Sequence, residues 1–130
     1  MLPYHDRKAL NSMKYTIVKQ EEFLVIKVSG KTRGNEPLVA RRILSRYLRE
    51  RGIRVILDLK EVEGVELIAL FGILHGIRKD IGLLQGDMKL CSMRPTLLIQ
   101  LKEHGLDRMF TICKDEQTAK TSTWRIHVGR

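Results

Sequence analysis

Only two cysteines occur in this chain of 130 residues, Cys91 and Cys113, and neither sits in a CxxC pair or a Cys/His spacing. That spacing speaks against zinc and redox sites, so two reduced, buried thiols are expected. No metal ligand and no cofactor is assigned. Aromatic residues make up 5% of the chain, so its core must be built from Leu, Ile and Val. No apolar run reaches the roughly 18 residues of a membrane span. The opening MLPYHDRKAL also lacks the apolar stretch of a secretory signal. A cytoplasmic protein without a membrane span is the expectation. The sequence contains no GxxxxGK[ST], HExxH or GxSxG motif and no glycine-rich dinucleotide fingerprint. An enzyme is therefore not expected, and no catalytic residue is assigned. His75 and His104 are far apart in sequence, and no second carboxylate or base has a defined spacing to Asp58.

What the chain does have is basic charge, 24 Lys and Arg against 15 Asp and Glu, for a formal net charge of +9. Much of it lies in Arg41, Arg42, Arg46, Arg49, Arg51 and Arg54, interleaved with Ala40, Ile43, Leu44, Tyr47 and Leu48. Such interleaving describes a solvated helix face. Without an aromatic-plus-basic strand or a helix-turn-helix pattern, no specific nucleic acid is expected as partner. A general attraction for acidic proteins is.

With 43% hydrophobic and 30% charged residues, this length suits one globular domain with a single core. Residues 1–12 are polar and aperiodic and read as an N-terminal extension, residues 13–122 as the domain and 123–130 as a C-terminal tail. Tyr15–Val18 and Phe23–Val28 are rich in β-branched residues and read as a hairpin. A turn-rich loop, Ser29 to Asn35, leads to Pro37 in the first turn of a helix expected to run to about Arg51, with Gly52 as its stop. Beyond it, strand and helix alternate. Strands are expected at Val55–Leu59, Met88–Cys91 and Met109–Ile112, and helices at Leu67–Ile81, Pro95–His104 and Glu116–Thr121. Pro95 and Gly105 bracket the third helix and Asp115 caps the fourth. Trp124–Val128 reads as one more short strand or an arm. The class is α/β, with parallel strand pairs joined to an antiparallel start.

The segment Val55–Leu74, VILDLKEVEGVELIALFGIL, is the most informative. At about 100° per residue, Leu70, Ile73, Leu74, Ile77 and Ile81 form one stripe that must face a sheet. Ile68, Phe71 and His75 fall on roughly the opposite side, where charge is usual. Apolar residues turned outward at a helix start call for a covering loop or a partner. Asp58, at a strand end, is expected to stabilise the following loop by accepting its backbone N–H groups.

These elements, in this order, resemble the STAS domain of anti-sigma factor antagonists, over about Met13 to Ser122. The resemblance is carried by MKYTIVKQEEFLVIKVSG, VILDLKEVEGV, GDMKLCSMRPTLLIQLKEHGLDRMFTI and DEQTAKTS. It implies the STAS-like (SpoIIaa-like) fold, a mixed β-sheet packed with about four α-helices. In the family pattern the second strand ends in Gly-x-Leu/Ile-Asp, which puts Gly30 at the glycine and Arg33 at the acidic position. The third strand leads through Asp-Leu-x-x-Val to Asp-Ser-Ser-Gly-Leu-Gly. Here Asp58, Leu59 and Val62 match, Glu66 stands at the aspartate, Leu67 at the phosphorylated serine, Ile68 at the second serine, Ala69 at the glycine, Leu70 at the leucine and Phe71 at the last glycine.

A phosphate on a serine at a helix N-terminus is well tolerated there and adds about −1.5 to −2 of charge. Leucine has no oxygen to accept it. The resemblance therefore implies a non-enzymatic protein–protein interaction module, a signalling regulator lacking the usual phosphorylatable serine. Its partner would be an anti-sigma factor, a kinase-like protein or another signalling protein, with a homodimer also admitted. The partner-binding residues would be Gly30, Lys31, Arg33, Glu66, Leu67, Ile68, Ala69, Phe71 and His75. Leu67, Ile68 and Phe71 could bury area worth about 25 cal/mol per Å². Two alternatives stay open. One is a ligand- or nucleotide-sensing domain using the basic loop Lys31 to Asn35; the other is an accessory subunit of a transport or stress-signalling complex.

Overall fold

The computed structural model describes residues 14–30, 36–62 and 67–125, with the side chains of 36–38, 67 and 68 outside that description. Five strands form one sheet in the order β1-β2-β3-β4-β5: β1 Lys14–Gln20, β2 Phe23–Gly30, β3 Arg54–Val62, β4 Asp87–Cys91 and β5 Thr111–Cys113. The first pair is antiparallel, in register from Lys14↔Ser29 to Gln20↔Phe23, and the other three pairs are parallel. The helices are α1 Glu36–Leu44, α2 Leu67–Leu83, α3 Pro95–Glu103 and α4 Glu116–Thr121. The expected mixed sheet with four helices is the observed architecture.

Period-two alternation along the strands separates two cores. Tyr15, Ile17, Leu24, Ile26, Val28, Val55, Leu57 and Leu59 point to the face covered by α1 and α2. The α2 stripe meets them there, with Leu70, Ile73, Leu74, Ile77 and Ile81 each no more than 2% exposed. Arg41 ties the two helices together, placing Nη2 at 2.8 Å and Nε at 3.2 Å from the two carboxylate oxygens of Asp80. On the opposite face a smaller cluster of Phe23, Val25, Ile56, Cys91, Ala119 and Trp124 holds α4 and the chain beyond it.

Several sequence-based boundaries move. α1 ends at Leu44 and not near Arg51, because the backbone N–H of Tyr47 turns to the carbonyl of Leu44, three residues back and not four. Ser45 Oγ also donates to the carbonyl of Arg42, an alternative to continuing the helix. The last strand is Thr111–Cys113, not Met109–Ile112. Gly105, at φ 70°, instead opens a single 3-10 turn over Leu106–Met109. β3 runs on through Val62 beyond the expected end at Leu59. Trp124 and Arg125 form an arm, not a strand, while residues 126–128 lie outside the described part.

Pro95 at the start of α3 and Asp115 before α4 act as the sequence indicates. Asp115 Oδ1 accepts the N–H of Thr118 at 2.7 Å, and that bond holds the carboxyl below its ordinary range. The end of α2 is less ordinary. Gly86 N–H reaches the carbonyl of Ile81 and Gln85 N–H that of Gly82, which puts Gln85 at the left-handed position, φ 57°, where glycine is usual. Gln85→Gly should raise the unfolding free energy by about 0.5–1 kcal/mol in urea denaturation, since a left-handed conformation costs a side chain roughly 1–2 kcal/mol. The loss of the Arg51-to-Gln85 side-chain hydrogen bond offsets part of the gain.

Cys91 and Cys113 are free thiols facing one another across the β4–β5 ladder, Cys91 buried and Cys113 half-buried. Burial pushes the Cys91 thiol up to about 11 from 9.0. With the folded value above the unfolded one, this group's stabilisation is complete below about 9 and is lost as pH rises through about 11. At pH 8, iodoacetamide followed by mass spectrometry should find Cys91 unmodified in the native protein and modified in urea. Native-state labelling at Cys91 comparable to that in urea would contradict its burial.

Candidate functional site

The carboxyl ends of β2 and β3 and the start of α2 meet at one end of the sheet. β2 closes on Gly30, whose φ of 99° is accessible mainly to glycine, so the chain can leave the sheet sharply. β3 carries one extra residue relative to β2: the register steps from Lys27↔Asp58 to Ser29↔Glu61. At this slip Asp58 Oδ1 accepts the N–H of Lys60 at 2.9 Å. Asp58 therefore serves a bulged strand, where the sequence had suggested the loop beyond it. The carbonyl of Lys60 in turn accepts Arg94 Nε at 3.0 Å, which fastens the turn before α3 to β3.

α2 begins at Leu67, so Leu67 and Ile68 occupy its first turn. Ala69 is 8% exposed, so little of its methyl is open to an outside contact. Phe71 is half-buried and His75 exposed, one turn apart on the outward side, their rings stacked with centroids 5.6 Å apart and planes at 22°. The pair forms an aromatic ridge along the outer face of α2. Lys31, Arg33 and Glu66 lie outside the described residues.

On the sheet face away from α1 and α2, a polar cavity of about 250 Å³ adjoins the same end, walled by Thr16, Lys27, Ser29, Asp58, Lys60 and Glu61. Of these, only Asp58 stands out in the sequence. Lys27 and Thr16 are the outward positions of alternating strands, and that alternation was the available signal. Arg94 had no signal beyond preceding Pro95, since its contact with Lys60 spans 34 residues. Among the described residues no cluster of His, Cys, Asp and Glu could hold a metal ion, and no helix is long and apolar enough to cross a membrane.

Solved structures repeat this architecture. An anti-sigma factor antagonist from Mycobacterium paratuberculosis superposes with a TM-score of 0.67 at 18% identity, over 85% of this chain and 93% of that one. An anti-sigma factor antagonist (STAS) domain protein from Planctomyces limnophilus gives 0.63 at 22% identity, over 81% and 93%. A chain from the stressosome, described as a signal integration and transduction hub, gives 0.59 at 21% identity, over 80% and 91%. These likenesses establish the fold. Comparison with curated proteins gives no match. The STAS domain family model matches residues 14–119, the whole of the sheet together with α1 to α3 and most of α4. With its five-stranded mixed sheet, its helices and that match, the chain belongs to the STAS domain family.

Proposed function

We propose that this STAS domain is a non-enzymatic signalling regulator of the anti-sigma factor antagonist type, working in the cytoplasm and binding a protein partner through the start of α2 without a phosphoserine switch. The observation that carries the reading is the aromatic ridge of Phe71 and His75 on the outward face of a helix whose first residue is Leu67. A regulatory serine would stand at that first residue, and leucine offers no acceptor for a phosphoryl group. Binding then depends on contact area and on the concentration of the partner, and no phosphorylation at this position switches it off.

The test is capture of an anti-sigma factor or kinase-like partner from the source cell by the purified protein. Phe71→Asp places a charge in the contact and should weaken capture by about tenfold or more, the penalty of leaving a charge unpaired in an apolar interface. Its melting temperature should stay within a few degrees of the parent, because Phe71 lies outside the core stripe. Undiminished capture by both Phe71→Asp and Ile68→Asp overturns the assignment of this face. Incubation with the captured kinase and ATP should leave residue 67 unmodified.

A further inference from the structure

We infer that a second site, at the other end of α2, binds a small organic anion: an acid group carried on an apolar body. A cavity of about 260 Å³ opens there between the last turns of α2, the start of β4 and the segment Met109–Thr111. Three cationic side chains line it, Arg78, Lys79 and Arg125, all exposed. Among the described residues none of the three has an ion-pair partner. The other charged group in the wall, Asp87, has its oxygens occupied by backbone: Oδ1 accepts the N–H of Met88 at 2.9 Å and Oδ2 that of Arg125 at 2.8 Å. The second bond also fixes residue 125 in the cavity wall.

Three cations facing one carboxylate that is already engaged leave the mouth electropositive, a potential that an anion would neutralise. Arginine adds a forked donor suited to carboxylate and phosphate oxygens. The remaining wall is made by Gly82, Gly86, Thr111 and four apolar side chains, with Phe110 and Met109 half-buried and Met88 and Ile81 almost fully so. At roughly 30 Å³ per water, the volume is worth about eight to nine waters. It also falls below the roughly 300 Å³ where drug-sized pockets begin. A ligand of the size of benzoate or phenyl phosphate fits that space. Along α2 the site lies about 20 Å from Leu67, at 1.5 Å per residue, so its occupancy is separable from partner binding at the first turn.

The test is a titration of the purified protein, in low salt, with phenyl phosphate, benzoate, inorganic phosphate and phenol. Binding is read from amide chemical shifts and from the fluorescence of Trp124, the single tryptophan, adjacent to Arg125. Saturable shifts at residues 78–82, 87–88 and 109–111 with phenyl phosphate or benzoate support the site, and the better of the two identifies the acid group. Arg78→Gln combined with Arg125→Gln should weaken that binding by about tenfold or more, an energy within the range of charge-assisted contacts. Gly82→Leu should block it while the protein stays folded, because a Cβ at Gly82 meets nothing within 4 Å and the larger side chain would enter the cavity. Absence of saturable binding by either aromatic acid overturns the proposal. So does phenol or inorganic phosphate binding as tightly as the aromatic acids, or unchanged affinity in the variants.

Discussion

Lys89→Ala is expected to lower the unfolding free energy by about 3 kcal/mol in urea denaturation, a large loss for a charged residue between Met88 and Leu90 in a strand. Lys89 is 1% exposed on the face of β4 that α4 covers. Its Nζ donates to the carbonyl of Ala119 at 2.9 Å, to the carbonyl of Ser122 at 3.2 Å and to Ser122 Oγ at 2.7 Å, and lies 4.1 Å from the centre of the Trp124 ring. Those carbonyls end α4, where the backbone has no further helical partners and cations are favoured. The alanine variant removes both the donors and the aliphatic stem between sheet and helix. Lys89→Met keeps the stem and should cost less, about 1–2 kcal/mol, as the carbonyls lose only their donor. An alanine variant within 0.5 kcal/mol of the parent would show that α4 docks without the amine.

The same residue predicts a pH dependence. Burial lowers the Lys89 amine from its ordinary 10.5, while Cys113 and Asp87 act in the opposite sense. The folded chain therefore gives up this proton at a lower pH than the unfolded chain. Across the interval between the lowered value and 10.5, the unfolded state holds more protons, and this group's contribution to stability rises with pH. Subtracting the Lys89→Met profile from that of the parent isolates this rise from the opposing fall due to Cys91.

Gly86→Ala is expected to be at least as damaging, about 3 kcal/mol, because there is no room for a methyl group. A Cβ on residue 86 would lie 2.3 Å from the carbonyl oxygen of Ile53 and 2.8 Å from Ile53 Cγ2. That oxygen is not free to withdraw, since it accepts the N–H of Asp87 at 2.9 Å where β4 begins. The chain can relieve the overlap only by disturbing the β3–β4 ladder or the end of α2. Gly82→Ala is the matched control: its Cβ meets nothing, and alanine favours the helix, so its melting temperature should equal or exceed the parent's. Equal melting temperatures for the two variants would refute the close approach at Gly86.

The contrast between Lys89 and the α2 stripe indicates which features a sequence reveals. Leu70, Ile73, Leu74, Ile77 and Ile81 repeat at helical spacing, so the packed side of α2 was legible before any fold was known, as were Phe71 and His75 on its outer side. In the segment Asp-Met-Lys-Leu-Cys the lysine instead reads as the solvated face of a half-buried strand. Only the docking of α4, some 30 residues later, turns that face inward. The bulge at Asp58 and the Arg94 contact with Lys60 were hidden for the same reason, being set by which strand or turn comes to lie alongside. The early end of α1 is hidden in the sequence because Arg46, Leu48, Arg49 and Arg51 continue a helical alternation that the backbone abandons after Leu44.

Sheet order here is chain order, from β1 to β5. No strand has to be threaded between two that have already paired. As the chain lengthens during synthesis, each ladder can close on the one before it, and a late strand that pairs badly can come away without dismantling its predecessors.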